Sequence, residues 1–285
     1  MATRPLRQYY DHDATLEVDL ALGTVVEPWL RHRARFLAAL GGLDDDEWLA
    51  PSRCAGWSTR DVVSHLVTVD GFFAASLQAG ASGAPTSFLP GFDPVGMPAL
   101  LVAGMHQKSA AEIRDDFAAG QASFVRTVES FDAGDWSAEA ESPLGHVTAR
   151  LMLAHALWDS WLHERDIFEP LGRPPAIEDD ELFTAAWYSL FFYSVQGGLV
   201  GDDAPVGAGL EAPFAAEIGF DDIAGGPVRL VVDDGVQLGP AASAECTVSA
   251  LHLVEGSTGR CEMDAVAAGL PPELAAQLER GRQIF

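Results

Sequence analysis

The stretch VTARLMLAHALWDSWLHERDIFE, residues 147–169, dictates the expected fold of this chain. Thr148 is a suitable N-cap, because its side-chain oxygen can accept hydrogen bonds from the free amides of a first helical turn. Gly172 and the Pro174-Pro175 pair beyond it are typical helix stops. Apolar residues cover more than one face of the helix between them, namely Leu151, Leu153, Ala154, Leu157, Trp158, Trp161 and Leu162. The pattern predicts a long helix that is buried on most sides.

Four polar residues interrupt this apolar helix: His155, Asp159, His163 and Asp166. Asp159 and His163 are four positions apart, so they share one helix face with Cβ atoms about 5–6 Å apart. A carboxylate and an imidazole held in this way can both reach one metal ion, and they also fit an ordinary ion pair. Because an unpaired buried carboxylate costs several kcal/mol, Asp159 is expected to have a partner.

A second histidine stands on another predicted helix, which begins at Ser58 with a capping box to Asp61. His65 lies in the apolar stripe of that helix. Bundles build metal sites from inward side chains on facing helices, so His65, Asp159 and His163 form the candidate metal set. Two imidazoles and one carboxylate suit a catalytic zinc and also a non-haem iron. A purely structural polar cluster is the alternative.

The remaining polar residues of the central helix fit supporting roles. His155 lies one turn before Asp159 on nearly the same face. It is a candidate for a fourth ligand, a proton shuttle or a partner of a ligand. Asp166 follows His163 by three residues and could orient it, as carboxylates next to ligand histidines often do. Arg165 is expected at the surface.

Composition limits the class of protein and its partners. The net charge is −25 and only one lysine occurs in 285 residues, which excludes a general nucleic-acid binder and argues against an anionic membrane surface. The three cysteines show no metal-ligand spacing and no local pairing with a histidine, so a reducing compartment is expected. The sequence shows no signal peptide and no long uncharged apolar run, so the chain is predicted to be cytoplasmic. It is expected to be a monomer or a homodimer. Its expected partners are small molecules.

Hydrophobic periodicity predicts an α+β chain that is mainly α. Helices are predicted over 15–42, 58–78, 109–131, 147–169 and 179–199, and loops over 44–57 and 79–105. The longer loop fits either a lid over a pocket or a disordered insertion. Residues 200–213 read as a linker, followed by strands over 214–220, 228–232 and 244–248 and helices over 249–255 and 272–282. The predicted domains are a helical domain, residues 1–200, and a small α+β domain, residues 213–285.

Three segments carry a resemblance to a known family. CAGWSTRDVVSHLVTVD (54–70), AHALWDSWLHERDIF (154–168) and the late Leu251-x-Leu253 with Gly259-Arg260 together resemble the mycothiol-dependent maleylpyruvate isomerase family, which belongs to the DinB-like metal-binding bundles. The resemblance covers nearly the whole chain. It implies a DinB-like four-helix bundle followed by a small sterol-carrier-like α+β domain.

The resemblance also implies roles for individual residues. The metal ligands of the family correspond to His65, Asp159 and His163, and an arginine that reaches the active site corresponds to Arg260. Asp159 departs from the glutamate that is usual in the family. Because its side chain is one methylene shorter, the metal would lie closer to the helix or a water would intervene. His155 is a further catalytic candidate.

The function implied is that of a metal-dependent enzyme with mycothiol as cosubstrate, the metal being zinc, with iron or nickel as alternatives. The thiol would attack a small electrophile such as a maleylpyruvate-like acid, and Arg260 would stabilise a carboxylate or a developing enolate charge. Isomerisation results if the thiol leaves, and conjugation results if it stays. The alternatives are a mycothiol S-transferase of secondary metabolism, a non-haem iron oxidative enzyme, and a DinB-like protein that binds metal or ligand without turnover.

Overall fold

A computed structural model describes residues 6–10, 15–198, 210 and 212–282 of the chain. In chain order the strands and α-helices are β1 (Leu16–Val18), α1 (Val26–Leu40), α2 (Asp45–Leu49), α3 (Thr59–Ala81), α4 (Gly96–Gly104), α5 (Ala110–Ser130), β2 (Glu139–Ser142), β3 (Gly145–Thr148), α6 (Ala149–Phe168), α7 (Asp179–Gly198), β4 (Phe214–Phe220), β5 (Val228–Val232), β6 (Val236–Pro240), β7 (Cys246–Val248), α8 (Ala250–Ser257), α9 (Asp264–Ala267) and α10 (Pro272–Gly281). The predicted class, α+β and mainly α, is confirmed.

The chain forms two compact units. The first is Val25–Ile177, and the second combines the described residues before 25 with those from 178 onward. Four long helices make the first unit: α3 packs against α5 and α6, and α1 packs against the same two helices. Their core includes the fully or almost fully buried side chains Phe36, Leu66, Phe117, Ile167 and Phe168.

The starts of the two helices that carry the candidate ligands are fixed locally. Ser58 and Asp61 form the predicted capping box on α3, with the Ser58 amide 3.0 Å from the Asp61 carboxylate that accepts its hydrogen bond. The Thr148 hydroxyl accepts a hydrogen bond of 3.2 Å from the Leu151 amide at the start of α6. These caps set where each helix begins, and the apolar residues along each helix determine which of its faces turns inward.

A buried ion pair joins α1 to α3. Arg33 and Asp70 are each 1% exposed, and the guanidinium donates two hydrogen bonds to the carboxylate, one of them 2.9 Å long. The Arg33 guanidinium also lies over the rings of Trp29 and Phe124. Removing one member would leave the other charge buried without its main partner.

The β2–β3 hairpin anchors part of the segment that follows α3. Glu141 of β2 is fully buried, and its carboxylate accepts hydrogen bonds from the amides of Phe88 and Leu89, at 2.9 and 2.7 Å. His146 Nε2 lies 2.8 Å from the carbonyl oxygen of Thr86. The middle of the predicted 79–105 loop is therefore held against the hairpin, and its later part forms α4.

The second unit contains a five-stranded sheet in the order β1-β6-β5-β4-β7. β1 pairs in parallel with β6 and β4 in parallel with β7, and the remaining neighbours are antiparallel. Side chains alternate along the central strands, with Leu230, Val232 and Leu238 buried. Helix α7 packs against β5, β6, α8 and α10, and most of its described side chains are buried.

Several sequence-based elements need correction. The helix predicted over 15–42 is wrong at its start, because residues 16–18 form β1, whose partner β6 lies more than 200 residues later. The predicted loops 44–57 and 79–105 contain α2 and α4. The compact units divide at residue 177, so α7 groups with the second unit and not with a 1–200 domain. Most of the predicted linker lies outside the described residues.

One described helix, α3, has the length and apolarity of a membrane span, and 56% of its most apolar window is buried in the protein. A buried core helix passes the same test of length and composition. The burial of His65 and Asp70 on this helix fits that reading, since ionisable groups are costly in lipid.

Replacing Asp70 with Ala tests the buried ion pair. We expect a loss of about 3–5 kcal/mol in the free energy of unfolding, because Arg33 would remain buried without its carboxylate. Urea titration measures the change. The matched control is Lys108→Met, which breaks a partly exposed pair with Asp116 and should cost about 1 kcal/mol or less. Equal effects of the two substitutions would contradict this account.

Candidate metal centre

The first unit brings His65, Asp159 and His163 together from two helices. Asp159 Oδ1 lies 3.5 Å from His163 Nε2 and 3.8 Å from His65 Nε2. The two imidazole centroids are 5.0 Å apart in an edge-to-face arrangement. One possible ligand atom from each of the three residues lies within 4.8 Å of the ligand atoms of the other two. The shorter carboxylate of Asp159 thus still lies beside both histidines.

The other ring nitrogen of His163 faces a different carboxylate. His163 Nδ1 is 3.0 Å from Asp166 Oδ2, and Asp166 is fully buried. This is the relation expected from the spacing in the sequence. A carboxylate at Nδ1 favours a proton on that nitrogen, so Nε2, on the side of Asp159, is the ring nitrogen that can coordinate a metal ion.

The electrostatics of the cluster follow from its burial. Burial alone would raise the pKa of Asp159, but His163 and His65 beside it hold that pKa well below its usual range. Burial would lower the pKa of His163, yet Asp159, Cys54 and Asp166 raise it to about 10. In the metal-free protein the cluster is therefore an ion pair between a carboxylate and an imidazolium.

His155 lies one turn before Asp159 in an apolar setting. Its ring centroid is 5.3 Å from that of Phe73 and 5.7 Å from that of Trp158. Burial lowers the pKa of His155 to about 4, against the opposing effect of Asp159. His155 is therefore neutral at pH 7, although the negative charge of the nearby Asp159 acts to raise its pKa.

Arg165 on α6 and Cys54 in the loop before α3 differ from the sequence-based expectation. Arg165, expected at the surface, is 7% exposed, lies over the Trp161 ring and pairs with Glu169. Cys54, for which the sequence shows no histidine partner, has its Sγ 3.7 Å from His163 Nδ1 and donates to Asp166 Oδ2 at 3.1 Å. The sequence separation of 109 residues hid this contact.

Arg260, the remaining predicted site residue, belongs to the second unit. It follows α8, and its guanidinium donates a hydrogen bond of 2.8 Å to the carbonyl oxygen of Thr258. Tyr193 of α7 lies near enough for the Arg260 charge to act on its phenol.

The residues of the cluster fit a divalent metal ion. Two imidazoles and one carboxylate form a donor set used by catalytic zinc and by facial iron sites. His65 Nδ1 is buried and makes no hydrogen bond to any residue that the structure describes, so Nε2, the nitrogen beside Asp159, is the one that meets a polar group. Three protein donors leave coordination positions for a substrate.

The ion pair in the metal-free protein can be tested by NMR titration of the histidine rings. We expect His163 to titrate near pH 10. Its raised pKa adds stability that is complete below the ordinary value of about 6.5 and is lost as the pH rises through about 10. Asp159→Asn should lower the His163 pKa by about 1–3 units, whereas Asp115→Asn, at an exposed carboxylate of α5, should not. Titration of His163 near 6.5 in the unchanged protein would contradict the assignment.

A family model matches most of the helical unit, and solved structures match most of the whole chain. Residues 29–168 match the model of the mycothiol maleylpyruvate isomerase N-terminal domain. No curated protein matched. The crystal structure of a mycothiol-dependent maleylpyruvate isomerase is similar over 87% of this chain and 94% of that one, with 17% identity and a TM-score of 0.58. A histidine-to-alanine mutant of that isomerase gives 16% and 0.56 over the same shares. Residues 29–168 of the helical unit are therefore similar to the mycothiol maleylpyruvate isomerase N-terminal domain, and the chain shares the fold of that isomerase over most of its length.

Proposed function

We propose that this chain is a metal-dependent enzyme of the maleylpyruvate isomerase type, which uses a low-molecular-weight thiol to transform a small electrophilic acid. The observation that carries the proposal is the cluster of His65, Asp159 and His163 on two facing helices, inside the domain whose family is named for such an isomerase. Mycothiol is the proposed thiol, because the similar crystal structure is that of a mycothiol-dependent enzyme.

The proposed metal is a divalent ion, zinc first, held by His65, Asp159 and His163. Such an ion, when bound, lowers the pKa of a coordinated thiol so that the thiol is a thiolate at neutral pH. The chain's own contribution is to hold the donors in place. Asp166 keeps the proton of His163 on Nδ1, so that the lone pair of Nε2 can coordinate the metal.

In the proposed reaction, the thiolate adds to an electron-poor carbon–carbon double bond of the substrate, which becomes a single bond and can rotate. Loss of the thiol then restores the double bond with the other geometry. Arg260 is proposed to bind the carboxylate or the developing enolate of the substrate, as a guanidinium matches both. His155, neutral because burial lowers its pKa to about 4, is proposed to relay protons at the edge of the cluster.

The proposed setting is the cytoplasm, where low-molecular-weight thiols are kept reduced. The high negative charge supports a small-molecule partner over a nucleic acid or an anionic membrane. Conjugation in place of isomerisation would follow if the thiol stayed on the product.

The first experiment is elemental analysis of protein prepared without a histidine tag. We expect about one zinc per chain in the unchanged protein, as in three-ligand catalytic sites, and almost none in His163→Ala. His106→Ala is the matched control, since His106 is a half-exposed histidine outside the cluster. A thiol-dependent assay with unsaturated acids would follow on the same samples.

Each outcome has a distinct meaning. Zinc and thiol-dependent turnover, both lost in His163→Ala alone, support the proposal. Stoichiometric iron with oxygen consumption would replace it with oxidative chemistry. Metal without turnover on any thiol and electrophile would favour a binding protein. No metal, even after incubation with metal salts, would refute the site.

The role of Arg260 predicts a separate kinetic effect. Arg260→Ala should raise KM for an acidic substrate and lower kcat/KM by about 10–100-fold, which corresponds to the loss of one charged hydrogen bond of about 1.5–3 kcal/mol. Metal content should not change. Arg229→Ala, at an exposed position of β5, is the control. Unchanged kinetics in Arg260→Ala would contradict the proposed role of Arg260 in substrate binding.

A further inference from the structure

The loop before α3 touches the candidate metal centre and is itself tightly closed. We name residues 50–58 the bracing loop. The Thr59 amide donates to the Ala50 carbonyl at 2.9 Å, and the Ser52 amide and hydroxyl donate to the Trp57 carbonyl at 3.0 and 2.8 Å. Gly56 has a φ of +81°, a conformation that favours glycine. These bonds make the loop a defined structure and not a loose connection.

The bracing loop is joined to α6 through Asp166. The Arg53 amide donates to the Asp166 carbonyl at 3.0 Å, and Arg53 Nε donates to Asp166 Oδ1 at 3.1 Å. Cys54 Sγ donates to the other carboxylate oxygen, Oδ2, at 3.1 Å. That same oxygen is 3.0 Å from His163 Nδ1. Asp166 is fully buried, so loop residues and His163 share a single carboxylate away from water.

The same loop also contacts the other histidine of the cluster. The Trp57 ring centroid is 5.6 Å from that of His65, and Trp57 is half-buried. One short segment therefore packs on both imidazoles, which come from different helices. A shift of the loop would move the surroundings of His65 and His163 together.

We propose that Cys54 is a positioning residue of the metal centre, acting through Asp166 on His163. The thiol fixes the Oδ2 atom of Asp166, which in turn holds the ring plane and the tautomer of His163. The sulfur faces Nδ1, 3.7 Å away, and not the Nε2 atom beside Asp159. This geometry assigns Cys54 to the support of a ligand and not to the ligand set.

The inference rests on the proposed function, because a positioning role needs a metal to be positioned. It goes beyond that function by giving a task to a thiol that the mechanism does not use. Cys246 and Cys261 lie in the second unit, and each Sγ faces a backbone carbonyl, of Glu217 and His252 respectively. Either is a suitable control for the loss of a thiol elsewhere in the chain.

The test measures zinc affinity by competition with a chromogenic chelator in the full-length protein. Cys54→Ala should bind zinc about 10–100-fold more weakly, the usual effect of losing a group that orients a metal ligand. Cys54→Ser should stay close to the unchanged protein, because its hydroxyl can still donate to Asp166. Cys246→Ala should have no effect. Circular dichroism of each variant checks that the fold is retained.

A cobalt-loaded sample separates positioning from ligation. In the unchanged protein we expect the visible absorption of a cobalt ion without the intense near-ultraviolet band of a cobalt–thiolate bond. The absorption of Cys54→Ala should shift, and that of Cys54→Ser should resemble the unchanged protein. A cobalt–thiolate band that disappears in Cys54→Ala would overturn the inference, since Cys54 would then be a ligand.

A double-mutant cycle completes the test. If Cys54 acts through Asp166, the variant with both Cys54→Ala and Asp166→Asn should bind zinc no more weakly than Asp166→Asn alone. Additive losses would overturn the route through Asp166. Unchanged zinc affinity in Cys54→Ala would overturn the inference and leave the proposed function standing. A protein that binds no metal at all would overturn both.

Discussion

The carboxylate of Asp159 has to be compensated, because it lies on α6, a helix whose side chains are nearly all buried. Two imidazoles beside it meet this requirement, one from the same helix and one from α3. In the metal-free protein the compensation is a proton on His163, and with metal it would be the ion itself. The surrounding features follow from this constraint. The caps of α3 and α6 fix where the two helices begin, and Asp166 determines which nitrogen of His163 can coordinate a metal ion.

A second buried pair shows how the bundle tolerates charge close to this centre. Arg33 and Asp70 join α1 to α3 by two hydrogen bonds and are enclosed by aromatic rings. Asp70 lies on the same helix as His65, and the charges of Asp159 and His65 both act on its carboxyl group. The two buried charge clusters described here are therefore each internally paired, and each is costly to unpair.

The sequence revealed those parts of the fold and site that depend on neighbours along the chain. Ser58 with Asp61 and Thr148 marked the helix starts, and the four-residue spacing of Asp159 and His163 placed them on one face. His65 could be added because a bundle turns apolar stripes toward each other. Features that depend on distant pairing were missed: strand β1 forms only against β6, and Cys54 meets His163 and Asp166 only after folding. The hydrogen bonds from the Phe88 and Leu89 amides to the Glu141 carboxylate were missed for the same reason.

The most direct test of the central claim is X-ray absorption at the zinc edge of the loaded protein, before and after addition of the thiol. The account predicts only nitrogen and oxygen neighbours, at about 2.0–2.2 Å, in the absence of thiol. After addition, one sulfur neighbour should appear at about 2.3 Å. Sulfur already present without thiol would mean that Cys54 is a ligand. Its absence after saturation with thiol would contradict a centre that binds and activates the cosubstrate.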